Sequence, residues 1–146
     1  CNLYGTNDNY DPENSHVFPA FVRRFVTAAR ENKTEEVLWG TGSPLREFLH
    51  VDDVANAVYF FLQNHNDPEV VNIGSGSDIT IRELAGKIAA AAGFRGEIRW
   101  DASKPDGMYR KLMDSSKARK LGWKPEITID EGIRRTIQEY KDGISK

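Results

Sequence analysis

Short strand-like runs alternate with helices of amphipathic spacing along these 146 residues, and that alternation limits the fold to the α/β class. The chain opens on Cys1-Asn2-Leu3-Tyr4-Gly5, where Leu and Tyr favour a strand and Gly marks its break. Glu35 to Trp39, Glu47 to Val51, Val70 to Ile73 and Glu97 to Trp100 also read as strands. What the alternation lacks is equally limiting. No G-x-G-x-x-G or G-x-x-G-x-x-G follows a strand, and Gly74-Ser75-Gly76 is an isolated pair of glycines. A dinucleotide-binding fingerprint is therefore absent, and a full doubly wound sheet is not expected. There is no internal repeat or low-complexity segment, and residues 1–146 read as a single unit.

The helices are set by spacing and by end signals. Residues 6–15 are polar and rich in turn formers, so they read as a loop. Pro19 then suits the first turn of a helix whose stripe is Phe18, Phe21, Val22, Phe25, Val26 and Ala29. Asp52 and Asp53 suit a helix N-terminus by charge and by capping, ahead of an apolar face of Val54, Ala55, Val58, Phe61 and Leu62. Thr80-Ile81-Arg82-Glu83 spells a capping box whose helix runs through Leu84, Ala85, Ile88 and Ala92 to Gly93. A short helix is expected over Ser115 to Leu121, stopped by Gly122. Thr128-Ile129-Asp130-Glu131 spells a second box, followed by Ile133, Ile137 and Tyr140 on one side of the last helix.

Composition narrows the partners. Twenty basic and 22 acidic side chains are interspersed, for a net charge of −2, with no Lys/Arg block. Nucleic acid is therefore not expected as a partner. No apolar run approaches the ~20 residues that a membrane span needs, so no membrane partner is expected. The single cysteine, Cys1, excludes an internal disulfide and suits a reducing compartment; a cytoplasmic protein is the expectation. His50-Val51-Asp52-Asp53 could suggest a metal site, but capping accounts for the carboxylates and no metal is expected.

Three stretches carry a resemblance: Asn2-Leu3-Tyr4-Gly5, Arg46-Glu47-Phe48-Leu49-His50-Val51-Asp52-Asp53, and Lys117-Ala118-Arg119-Lys120-Leu121-Gly122-Trp123-Lys124-Pro125. In this order they resemble the N-[VLI]-Y-G turn, the R-[DE]-F-[IL]-H-V-x-D junction and the L-G-W-x-P element of extended short-chain dehydrogenase/reductases acting on nucleotide sugars. Two further stretches, Pro12 to Pro19 with Arg23-Arg24-Phe25, and Asp101 to Gly107 with Arg110 to Asp114, are similar to members handling a GDP-linked 4-keto-6-deoxy sugar. Thr6 departs from the usual Pro after the Tyr-Gly pair, and Met108-Tyr109 from the usual Thr-Pro.

The resemblance implies the C-terminal substrate-binding portion of such an enzyme, with the N-terminal Rossmann half missing and a few Rossmann elements (1–5, 47–75) interleaved. It implies NADP(H) as the cofactor of the intact enzyme, a GDP-sugar substrate and a homodimer. The chemistry is epimerisation at C3 and C5, then reduction at C4. The catalytic Tyr and Lys would precede Cys1, so this portion alone is expected to be inactive and to bind little or no cofactor. The opening strand and those near Phe48 and Val71 would have lost neighbours, and their apolar faces are expected to be exposed. A non-catalytic nucleotide-sugar-binding module, or another epimerase or dehydratase of the family, stays open.

By the same resemblance His16 is the acid of the epimerisation, acting with a Cys that would precede Cys1, and it also meets the cofactor. Read by itself it is a polar residue at a helix start. Arg24, Trp39, Arg46, Lys104, Asp106 and Arg110 match substrate-contacting positions, and Cys1, Asn2 and Leu3 line the nicotinamide end of the cofactor cleft. Arginine suits the diphosphate because its planar fork binds phosphate oxygens in pairs. An indole at a strand end can stack on a ring or belong to the core, and Pro105-Asp106-Gly107 is also an ordinary turn signal.

Overall fold

A computed structural model describes residues 1–144. Its strands form small sheets in place of one large sheet. Strand β1 (Asn2–Tyr4) lies parallel to β4 (Phe48–His50), with Asn2 opposite Phe48 and Tyr4 opposite His50. Strand β2 (Glu35–Trp39) lies parallel to β6 (Glu97–Asp101), with Trp39 opposite Asp101. Strand β3 (Leu45–Arg46) runs between an antiparallel β5 (Ile79–Thr80) and a parallel β7 (Arg110–Lys111).

Helices α1 (Val17–Arg30), α3 (Ile81–Ala92) and α5 (Ile129–Ile144) enclose the main core. Phe18, Val22 and Phe25 of α1 meet Leu84 and Ile88 of α3 and Ile133 of α5, with Leu38 of β2 fully buried among them. Tyr4 joins this core from β1: its ring stacks on Phe18 at 4.0 Å and meets Phe48 edge-on at 6.4 Å. The stack fixes where α1 starts relative to β1. The C-terminal end of the α1 stripe is shifted by one residue, since Ala28 is fully buried and Ala29 only partly. A smaller cluster of Leu49, Ala57, Ala118 and Trp123 joins β4 to α2 (Val51–Asn64) and α4 (Ser116–Lys120).

The helix ends follow their signals in part. Thr80 and Glu83 close both halves of the capping box on α3, and Gly93 ends that helix at φ +84°. The second box closes only halfway: Glu131 N–H donates to Thr128 Oγ1, while the Glu131 carboxylate turns to Arg134 and Arg135. On α2 the cap is His50, whose Nδ1 accepts the N–H of Asp52 at 3.2 Å. Asp53 is instead buried and accepts backbone N–H groups from the segment leading into α5.

Two further expectations are corrected. Val70 to Ile73 forms no strand: among the described residues no neighbour offers it a ladder, and Val70 is 84% exposed. The apolar face read for α2 is largely uncovered, with Val58 56% and Leu62 79% exposed and Ala55 exposed as well. Of the strands expected to show bare faces, Leu3 on β1 does so, whereas Phe48 is buried by Tyr4 and Phe18. No described helix is long and apolar enough to cross a membrane.

Candidate functional site

The candidate residues fall into neighbourhoods set by the strands that carry them. Cys1, Asn2 and Leu3 belong to the β1 end of the molecule, and His16 caps α1 close by, two residues before Phe18 in the Tyr4 stack. Cys1, Leu3 and His16 are exposed, and the His16 side chain makes no capping bond. Asn2 is engaged: its backbone N–H and its Nδ2 both donate to the carbonyl of Glu47, at 2.9 and 3.0 Å.

Trp39, Lys104 and Asp106 come together at the far end of β2. Trp39 is 73% exposed, and Lys104 Nζ sits 5.5 Å from its ring centroid. Asp106 clasps the neighbouring turn, accepting the N–H of Thr41 at 2.9 Å and its hydroxyl at 2.6 Å. These bonds hold the Asp106 carboxyl below the ordinary carboxylate range, the hydroxyl contributing more than the N–H. Gly40 is required here, because it adopts φ +81° and a β-carbon would collide with Asp106 Oδ1.

Arg46 and Arg110 approach the same loop from β3 and β7, where Leu45 lies opposite Arg110. A β-carbon on Gly107 would stand 3.3 Å from Arg46 Nη2, so the Arg46 guanidinium passes directly under the loop. Its Nη1 donates to the carbonyl of Leu45 at 2.7 Å. Arg110 is bound to Asp78 through Nε at 2.5 Å and Nη2 at 3.3 Å, and this contact lowers the Asp78 pKa and raises that of Arg110. Arg46 also lines a cavity of about 330 Å³ with Phe48, Ser75, Ser77, Ile79 and the 125–129 segment.

Arg24 stands apart from these groups. Its Nε donates to Glu36 at 2.6 Å and its Nη2 to the carbonyl of Val37 at 2.5 Å. It lines a different concavity, shared with Arg23, Thr27, Lys33 and Glu36. Thus Trp39, Arg46, Lys104, Asp106 and Arg110 gather around the 102–109 loop. Arg24 is held on β2 by a carboxylate, and His16 stands at the start of α1, linked to β1 only through the Phe18–Tyr4 stack. Among the described residues no cluster of three or more His, Cys, Asp or Glu is arranged to hold a metal ion.

Sequence reasoning missed Thr41, Asp78 and Glu47. Thr41 and Asp78 act through pairings 65 and 32 residues away, which local patterning cannot show. Glu47 had a visible signal. An acidic residue inside the apolar run Phe48-Leu49 must find partners if it is buried, and it is fully buried.

What this arrangement can do chemically is bind an anion with a flat ring attached. Arg46 and Lys104 have no ion pair among the described residues, and Trp39 offers an open aromatic face. At the β1 end Cys1 and Leu3 are exposed, whereas Asn2 is spent on Glu47. No glycine-rich turn follows a strand to cradle a pyrophosphate.

Residues 1–74 match the NAD dependent epimerase/dehydratase family. Over 143 residues, or 98% of its length, the chain is 54% identical to "Probable GDP-L-fucose synthase 1" of Oryza sativa subsp. japonica, covering 44% of that protein. It is 46% identical over 148 residues to "GDP-L-fucose synthase" of Escherichia coli (strain K12), covering 95% of this chain and 46% of that protein. A GDP-L-fucose synthetase from Naegleria fowleri, solved bound to NADP, superposes with a TM-score of 0.91 at 28% identity, covering 99% of this chain and 46% of the other. The chain thus spans less than half the length of the curated relatives it matches. The family match, carried by the half of the chain that holds β1, β4 and Arg46, establishes that this protein belongs to the NAD dependent epimerase/dehydratase family.

Proposed function

We propose that this chain is the sugar-nucleotide-binding portion of a GDP-L-fucose synthase, the enzyme that converts GDP-4-keto-6-deoxy-D-mannose to GDP-L-fucose by 3,5-epimerisation and 4-reduction. The observation that carries the reading is the 54% identity extending over 98% of the chain. In this proposal an N-terminal Rossmann half completes the enzyme, which assembles as a homodimer in the cytoplasm, and the described portion alone turns nothing over. NADPH, when bound by the intact enzyme, supplies the hydride for C4.

The residues of this chain then divide the work by what already occupies them. Arg46 and Lys104 take the diphosphate, since neither is neutralised by a carboxylate among the described residues. Trp39 offers its face to a ring, and Asp106 holds the loop that carries Lys104 against Thr41. Arg24 and Arg110 contribute only when phosphate competes with Glu36 and Asp78. His16, exposed at the start of α1, gives a proton to a carbon next to the sugar ketone on one face, after a cysteine of the N-terminal half has taken one from the opposite face; the carbon loses its proton because the resulting enolate is stabilised.

Thermal unfolding in the presence of nucleotides tests this. A ligand at a hundred times its dissociation constant adds ~2.7 kcal/mol of stability. GDP or GDP-fucose is expected to raise the melting temperature while UDP-glucose does not. Equal shifts from both would end the GDP assignment, and turnover of the keto sugar with NADPH by this chain alone would end the claim that it is inactive.

A further inference from the structure

Glu47 is a fully buried carboxylate that no catalytic or binding step above uses. It separates Arg46, the last residue of β3, from Phe48, the first of β4. Donors from two distant segments converge on it. Gly76 N–H donates to Oε1 at 2.7 Å and Met113 N–H donates to Oε2 at 3.1 Å, while the Ser75 hydroxyl, 3.3 Å from Oε1, shares its one hydrogen between Glu47 and the nearer Ser77 carbonyl at 3.0 Å. Gly74 closes over the same oxygen so tightly that a β-carbon would stand 2.5 Å from Oε1. Among the described residues no cation pairs with Glu47, so neutral donors alone offset its burial. On the backbone side its carbonyl receives both donors of Asn2.

We propose that Glu47 is a positioning residue that locks the two walls of the candidate site to one another. This rests on the reading of Arg46 and the 102–109 loop as the anion-binding surface. Through Gly76 and Ser75, Glu47 sets the 75–77 turn, whose serines line the cavity with Arg46. Through Met113 it anchors the segment just after β7, and β7 carries Arg110 at the exit of the loop that bears Lys104 and Asp106. Through its own backbone it fixes Arg46, one residue away. One side chain thus determines how far the Arg46 wall stands from the loop wall. A carboxylate is the group that does this, because both of its oxygens accept. A glutamine would turn an NH₂ toward Gly76 or Met113 and set donor against donor.

The test uses the unaltered chain, Glu47→Gln and Glu47→Asp, each shown folded by circular dichroism well below its melting temperature. Amide hydrogen exchange is read at Gly76 and Met113, with Ala89 in α3 as the internal reference, and GDP affinity is read by titration calorimetry. In Glu47→Gln exchange at Gly76 and Met113 is expected to quicken at least tenfold relative to Ala89, and GDP affinity to fall at least tenfold. Glu47→Asp should recover part of both. A merely structural role would lower the melting temperature of Glu47→Gln without changing the GDP affinity of its folded state; affinity within twofold of the unaltered chain overturns the proposal. If the unaltered chain binds no GDP, the functional reading fails. Positioning is then decided by exchange alone: selective quickening at Gly76 and Met113 supports it, and unchanged exchange overturns it.

Discussion

Asp53 is 4% exposed, and its carboxylate accepts the backbone N–H groups of Glu126 at 2.9 Å and Ile127 at 3.0 Å. It therefore sews the first turn of α2 to the segment that launches α5. Truncation to alanine would deprive both N–H groups of their acceptor, but Glu126 is exposed and Ile127 only half-buried, so the cost per group falls at the low end of roughly 1–3 kcal/mol. Asp53→Ala is expected to destabilise the chain by about 2 kcal/mol in urea unfolding, a sizeable share of the stability of a domain this size. A loss under about 0.5 kcal/mol would show that water replaces the carboxylate. The sequence suits Asp53 to a helix N-terminus by charge and by capping, and it does sit in the first turn of α2. That reading found the right residue and the wrong partner, because His50 had already taken the cap and the true acceptor role spans 73 residues. Arg24 and Glu36 show the same limit: each is visible as a charge, but the pairing exists only once α1 lies on β2.

Element by element, legibility tracks whether the determinants are local. The α3 capping box and its Gly93 terminus lie within the helix's own sequence, and the structure closes both. Removing the Thr80 hydroxyl exposes an N-terminal N–H, and Thr80→Ala is expected to cost about 1 kcal/mol. Thr128→Ala should cost less, since the bond its hydroxyl accepts is longer, at 3.3 Å against 3.0 Å, and the Thr80 hydroxyl also donates to Glu83 at 2.8 Å; equal losses would mean that this second hydroxyl bond contributes nothing. Strand β2 and the run Val70 to Ile73 both have the composition of a strand and both end at a glycine turn, yet among the described residues only β2 has a ladder, with β6. A strand is a pairing and not a property of one segment. The 102–109 loop is likewise defined by its clasp. The Asp106 carboxyl sits below its ordinary 3.8, so the clasp contributes fully above that value and is lost as pH falls through the lower folded value. The Thr41 amide resonance should report that transition below pH 3.8 and lose it in Asp106→Asn. At neutral pH, Asp106→Ala should speed chymotryptic cleavage after Tyr109, which is 68% exposed, by several-fold; an unchanged rate would show that the loop is held by other means.

For the molecule as a whole, the balance of covered and uncovered apolar surface is uneven. The α1–α3–α5 core is closed, with Phe25, Leu84 and Ile88 at zero exposure. The α2 side is open: Val58 and Leu62 stand four residues apart on one helix face, and Tyr59 is 66% exposed beside them. Val58 also borders an apolar concavity of about 250 Å³ with Ala57, Phe61, Val71 and Ile73, next to Val70. Water in contact with such a surface is costly, and monomers seldom leave contiguous apolar patches of this kind uncovered. The chain on its own is therefore expected to associate with itself as its concentration rises, in sedimentation velocity or light scattering. Burying one leucine or valine side chain is worth roughly 1.5–3 kcal/mol, so Leu62→Lys or Val70→Lys should raise the apparent dissociation constant by at least about tenfold. Because both side chains are exposed, neither substitution should move the melting temperature of the dilute protein appreciably. A chain that stays monomeric at every concentration reached, or one whose association ignores both lysines, would show that this face is content in water.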